Sequence, residues 1–109
     1  MNKQPKSLDW IEHDNVTYRP KKESHKVVKI FAQSKIVFTP KENKTIRLNF
    51  GIDFTYGSAS VSANFFSLAI LNSYLEKPNS DIVVQMFNTS NESVEIQEGL
   101  ELCKVIYNG

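Results

Sequence analysis

The chain has 109 residues, 40% of them hydrophobic and 11% aromatic, which is enough for one core-bearing domain and excludes wholesale disorder. Thirteen basic and 12 acidic side chains leave a formal net charge of +1, which speaks against a polyanion-binding surface spread over the whole molecule. A single cysteine, Cys103, excludes an intramolecular disulfide and a cysteine-based metal site, and no apolar run approaches the ~18 residues of a membrane span.

Residues 1–24 read as a polar, lysine-rich N-terminal arm, and residues 25–109 as one β domain. The opening, MNKQPKSLDWIEHDN, lacks the apolar stretch of a signal peptide, so the protein is expected inside a cell or carried inside a particle. The arm has one apolar patch, Leu8-Asp9-Trp10-Ile11, positioned to pack on its own barrel or on a neighbour. Pro20-Lys21-Lys22-Glu23 reads as a linker.

From Lys26 the pattern turns β. Lys26–Ala32 and Lys35–Thr39 are expected strands, the second closed by Pro40 and a polar turn. Thr45–Phe54 alternates strictly, with Ile46, Leu48, Phe50, Ile52 and Phe54 on one face, and predicts one continuous strand. Ser60–Leu75 carries Phe65, Phe66, Leu68, Ala69, Ile70, Leu71 and Leu75; these fit either a short buried helix or continuous apolar strand. Glu76-Lys77-Pro78-Asn79-Ser80 breaks that run. Ile82–Phe87, Val94–Ile96 and Leu100–Tyr107 complete a set of six to eight strands joined by short turns, an all-β barrel or sandwich with at most one short helix.

Residues that carry chemistry are sparse. His13 and His25 are the only histidines, and Glu12-His13-Asp14 has no zinc or non-haem iron spacing, so both are expected to be solvated. Cys103 lies in an alternating apolar strand, where a free thiol packs as a small hydrophobe. Lys21, Lys22, Lys26, Lys29 and Lys35 cluster near Tyr18 and Phe31; a lysine-rich edge strand that resists edge-to-edge pairing accounts for them, and nucleic acid is not expected as a partner. No metal or cofactor is expected.

Four segments, in order and spacing, give the chain a wider resemblance. Phe38-Thr39-Pro40-Lys41-Glu42 with Arg47–Ile52, Phe65-Phe66-Ser67-Leu68-Ala69, Ile82–Asn88, and Gly99–Ile106 together resemble the dUTPase-like superfamily of trimeric, jelly-roll-like β-barrels over about three quarters of the chain. The resemblance implies that fold for residues 25–109 and self-association as a homotrimer. It also marks departures. The aspartate of the first family motif, which helps hold the metal-bound triphosphate, falls at Lys29. The phosphate-gripping Arg-Ser of the second falls at Phe65-Phe66, and the glutamine of the fourth at Lys104. The uridine hairpin with its water-activating aspartate is reduced to Leu75–Ser80, where Glu76 and Asp81 are read as turn charges, and no glycine-rich tail follows the last strand.

Phosphoanhydride hydrolysis needs a base, metal-binding carboxylates and phosphate donors together. The resemblance therefore implies a non-catalytic, viral barrel acting as a structural or protein-protein interaction module. Leu8, Trp10, Ile11, Phe65 and Phe66 are the candidate partner or subunit contacts; Phe65 and Phe66 are equally readable as core. The alternatives are a barrel that binds nucleotide through Lys29 and Lys104 without hydrolysis, or a small capsid-type sandwich.

Overall fold

The computed structural model describes residues 10–12, 16–52, 58–65, 67–74 and 82–108. Those residues form eleven strands and no helix: β1 Trp10–Glu12, β2 Lys21–Lys22, β3 Val27–Phe31, β4 Ile36–Phe38, β5 Asn43–Arg47, β6 Phe50–Ile52, β7 Ser58–Ala63, β8 Leu68–Tyr74, β9 Val83–Asn88, β10 Val94–Ile96 and β11 Glu101–Asn108. Two antiparallel sheets, ordered β2-β3-β11-β7 and β5-β9-β8, make the body, and two short ladders, β1-β6 and β10-β4, complete it. The expected all-β architecture is the observed one.

Alternation decides which faces meet. Along β3 the inward residues are Val28, Ile30 and, just beyond, Ala32; along β9 they are Val84, Met86 and Asn88. With Phe38, Phe50, Ile82, Ile96, Cys103, Val105 and Tyr107 their apolar members form one core, which β3, β4, β6, β9, β10 and β11 all enter. A side chain such as Phe38 or Met86, fully buried, contributes about 2 kcal/mol from area alone.

Two expectations need correction, and one left open is resolved. The strictly alternating run from Thr45 is two strands, not one, because Asn49 takes the left-handed conformation at φ 58 and turns the chain between β5 and β6. Asparagine tolerates that region better than a branched residue would. The backbone at the corner closes on Ile82, whose carbonyl accepts from Leu48 at 2.9 Å and whose N–H donates to Phe50 at 3.0 Å. Alternation survives the bend, since Leu48 and Phe50 are both buried, but β6 pairs with β1 and not with β9. Phe54 lies outside the described residues.

The ambiguous run after Ser60 is strand, in two pieces. Ser58–Ala63 pairs with β11 and Leu68–Tyr74 with β9. Finally, the stretch read as a linker carries β2, whose Lys21 and Lys22 pair with Lys29 and Val28.

One buried polar side chain organises the β4, β9 and β10 end. Asn88, 0% exposed, donates through Nδ2 to the carbonyls of Thr39 at 3.0 Å, Glu92 at 2.7 Å and, more weakly, Phe38 at 3.4 Å. Its Oδ1 accepts from the N–H of Ser90 at 3.0 Å and from its hydroxyl at 2.8 Å. A buried amide with both ends satisfied fixes the turn that returns the chain into β10.

Candidate functional site

The register between β3 and β11 sets Lys104 directly opposite Lys29. The row continues on both sides: Lys21 of β2 is opposite Lys29, and Ser62 of β7 is opposite Lys104. Residues directly opposite in antiparallel ladders share a face, so Lys21, Lys29, Lys104 and Ser62 form one line across the outer face of the four-stranded sheet. Adjacent like charges repel, and carboxylates from two other places in the chain offset this. Lys104 Nζ donates to Glu23 Oε1 at 2.9 Å. Lys29 Nζ lies 3.7 Å from the same Glu23 oxygen and 3.7 Å from Glu101 Oε1. The hydrogen bond from Lys104, with the lysine charges behind it, holds the Glu23 carboxyl below its ordinary value; reciprocally, the bond to Glu23 raises Lys104. Both groups are solvated, so the network orients side chains more than it stabilises the fold.

Phe65 is partly buried and packs against the core. It is tied to the same region through its neighbour: Asn64 Nδ2 donates to the carbonyl of Glu101 at 3.2 Å, and the Asn64 N–H to that of Leu102 at 3.3 Å. Three of the four positions that resemblance associates with catalysis, Lys29, Phe65 and Lys104, are therefore brought to the β3-β11-β7 side of the barrel. Phe66 and Leu8 lie outside the described residues, as do Glu76, Asp81 and the shortened loop between them. For Trp10 and Ile11 only the backbone is described; it pairs with Ile52 and Gly51 of the same chain. Cys103 is in the core, and burial pushes its thiol up to about 12. His25 is exposed.

The donor set in this row is two ammonium groups facing two carboxylates already engaged by them, which does not fit a magnesium ion. Among the described residues there is no group of three or more His, Cys, Asp and Glu placed to hold a metal ion.

Sequence reasoning did not single out Gln33, Glu23 or Glu101. Gln33 clamps the N-terminal segment. Its Oε1 accepts from the N–H groups of Thr17 at 2.8 Å and Tyr18 at 3.0 Å, and its Nε2 donates to the carbonyls of Tyr18 at 2.7 Å and Phe31 at 3.2 Å. The Tyr18 ring then lies against Gly99, which has φ 85. A Cβ at Gly99 would stand 3.0 Å from Tyr18 Cε1, so a side chain there would push on the ring as well as strain the positive-φ backbone. Beside this contact is a groove of about 420 Å³ lined by Thr17, Tyr18, Arg19, Lys21, Phe31 and Gly99. It adjoins the lysine row, since Phe31 is two residues from Lys29 on the same strand face.

No protein-family model matches the chain, and no curated protein matches it. Solved structures do. The dUTPase of Staphylococcus bacteriophage 80alpha, one of the phage dUTPases said to control transfer of virulence genes by a proto-oncogenic G protein-like mechanism, superposes with a TM-score of 0.73 at 11% identity, over 93% of this chain and 88% of that one. A point mutant of the dUTPase from phage phi11 of S. aureus, studied for its coordination of a structural Mg(II) ion, gives a TM-score of 0.73 at 12% identity, over 93% and 89%. Another 80alpha dUTPase mutant reaches 0.76 at 11% identity, over 95% and 84%. The geometry and these superpositions together establish that the chain has a dUTPase-like β-fold.

Proposed function

We propose that this protein is a non-catalytic, viral member of the dUTPase-like barrels that works as a self-associating structural or protein-protein interaction module. The observation that carries the reading is the lysine pair. At the positions where resemblance expects a metal-binding aspartate and a glutamine, Lys29 and Lys104 face each other and share the Glu23 carboxylate. An ammonium group at an aspartate position repels a magnesium ion and cannot act as a carboxylate ligand. The partly buried Phe65 supports the same reading, because an aromatic ring in place of a phosphate-binding arginine presents no cation to a phosphate.

Two further facts support a role in contacts between proteins. The solved structures superposed above are phage dUTPases, and phage dUTPases such as that of phage 80alpha are credited with controlling transfer of virulence genes. Homotrimerisation is the assembly implied by the resemblance, with Phe65, Phe66 and the Trp10-Ile11 segment as the contact candidates. The alternative, nucleotide binding without hydrolysis, draws on the same two lysines, but their charge is already offset by Glu23 and Glu101.

The test is native mass with and without dUTP and magnesium, followed by product analysis of the same sample. The expected result is a trimer, no bound nucleotide and no dUMP. Formation of dUMP and pyrophosphate would refute the non-catalytic reading, and a monomer would refute self-association. Retained nucleotide without product would favour the alternative.

A further inference from the structure

We infer that the groove between Tyr18, Phe31 and Gly99 docks an acidic peptide segment of a partner protein, one that carries an apolar anchor among its carboxylates. The inference rests on the interaction-module reading and names the partner's chemistry. Three observations carry it. First, the groove, of about 420 Å³, is walled by two aromatic residues, Tyr18 and Phe31, with Arg19 and Lys21 among its lining. Aromatic walls take an apolar anchor, and the Lys21 ammonium at the same opening takes a carboxylate. Second, the charges nearby are unequally satisfied. Lys29 and Lys104 are offset by Glu23 and Glu101, whereas no carboxylate among the described residues pairs with Lys21, at the sheet margin of the same row. Glu98 is the acidic residue adjacent to Gly99 in the turn, and it is exposed.

Third, the groove is preformed. Gln33 holds both backbone groups of Tyr18, and the ring lies close against Gly99, so little conformational freedom remains to be lost on binding. A run of nucleotides is the less suitable occupant, because the chain carries a formal net charge of only +1.

Fluorescence anisotropy on the full chain tests this with three labelled probes: a peptide of alternating Glu and Leu with one central Phe, the same peptide with Gln for Glu, and oligothymidylate. The acidic peptide is expected to bind, to weaken as salt rises, and to bind roughly tenfold more weakly to Lys21→Glu, because one attraction becomes a repulsion. Lys21 is exposed on a two-residue strand, so the variant is expected to keep its fold, which circular dichroism checks. Tyr18→Leu provides a second variant, expected to weaken binding of both peptides. Equal affinity of wild type and Lys21→Glu for the acidic peptide would overturn the inference. So would preference for the Gln peptide, absence of binding, or binding of oligothymidylate in its place. Hydrolysis of dUTP by the same preparation would sink the non-catalytic reading while leaving the anisotropy result intact, so the two failures are distinguishable.

Discussion

Replacing Asn88 with alanine removes a side chain that is 0% exposed and makes five hydrogen bonds, three donated and two accepted. The carbonyls of Thr39 and Glu92 each lose a short partner, and the Ser90 N–H and hydroxyl lose their acceptor. The 3.4 Å contact to Phe38 counts for little. Four good bonds at about 1 kcal/mol each, reduced because Glu92 and Ser90 reach water, give a loss of about 3 kcal/mol. Domains of this size have only about 5–15 kcal/mol in total, so the fold should survive with Tm lowered by about 15 °C. Thermal and urea unfolding followed by circular dichroism read the change directly. Ser90→Ala, which forfeits the hydroxyl bonds and keeps the backbone one, should cost only about 1 kcal/mol. A loss below about 1 kcal/mol for Asn88→Ala would refute the reasoning, since it would mean that the turn satisfies its backbone groups without the amide.

Gly99→Ala should destabilise the fold by about 1–2 kcal/mol, from the strained left-handed backbone and the contact with Tyr18. In a Tyr18→Ala background the steric part should vanish and the backbone part remain, which a double-mutant cycle on unfolding free energies resolves. Cys103 is protonated in both folded and unfolded protein below about pH 9, so it has no effect on stability there. As pH rises from 9 toward about 12 the unfolded thiol ionises first, and stability should fall with a slope of up to about 1.4 kcal/mol per pH unit. The difference between wild type and Cys103→Ala across that window isolates the effect. Glu23, with its folded value lowered from 4.5, contributes stability that is present above pH 4.5 and lost as pH falls through the lower folded value. Glu23→Gln should therefore flatten the acid limb of stability against pH, an effect that should be small and should shrink further in high salt because the carboxylate is solvated.

Much of the fold was legible because several strands announce themselves by period. β3 and β9 alternate buried and partly exposed residues throughout, and Lys26–Ala32 and Ile82–Phe87 are readable as strands from that alone. What was not legible depends on neighbours. Ser58–Ala63, SASVSA, has one β-branched residue and no aromatic one; it is a strand because Ala59, Val61 and Ala63 pack inward while its backbone pairs with β11. The bend at Asn49 interrupts an unbroken alternation, and only the backbone contacts to Ile82 reveal it. The site shows the same division. Lys29 and Lys104 could each be flagged by resemblance. That they are opposite each other is a matter of register, and that Glu23 serves both depends on a contact spanning 81 positions of sequence. Gln33 gave no signal, since an amide in a polar segment looks the same whether it clamps a backbone or faces water.

The irregularities in two ladders bear on how this chain can be compared with distant relatives. Between Glu101 and Cys103 the β11 strand advances two residues while β3 advances one, so Leu102 is the extra residue and lies buried directly beside the buried Cys103. Between Ile70 and Asn72 the β8 strand does the same against β9, with Leu71 as the extra residue, half exposed. Each bulge acts as a phase shifter. Losing Leu102 or Leu71 would leave every other residue of its ladder on its present face, whereas a deletion elsewhere in those strands would invert all that follows. Gaps in an alignment of such barrels thus belong at these two positions as well as in the turns. An alignment that forbids gaps inside strands would slip by one there and set inward residues against outward ones, hiding a shared fold behind an apparent lack of likeness.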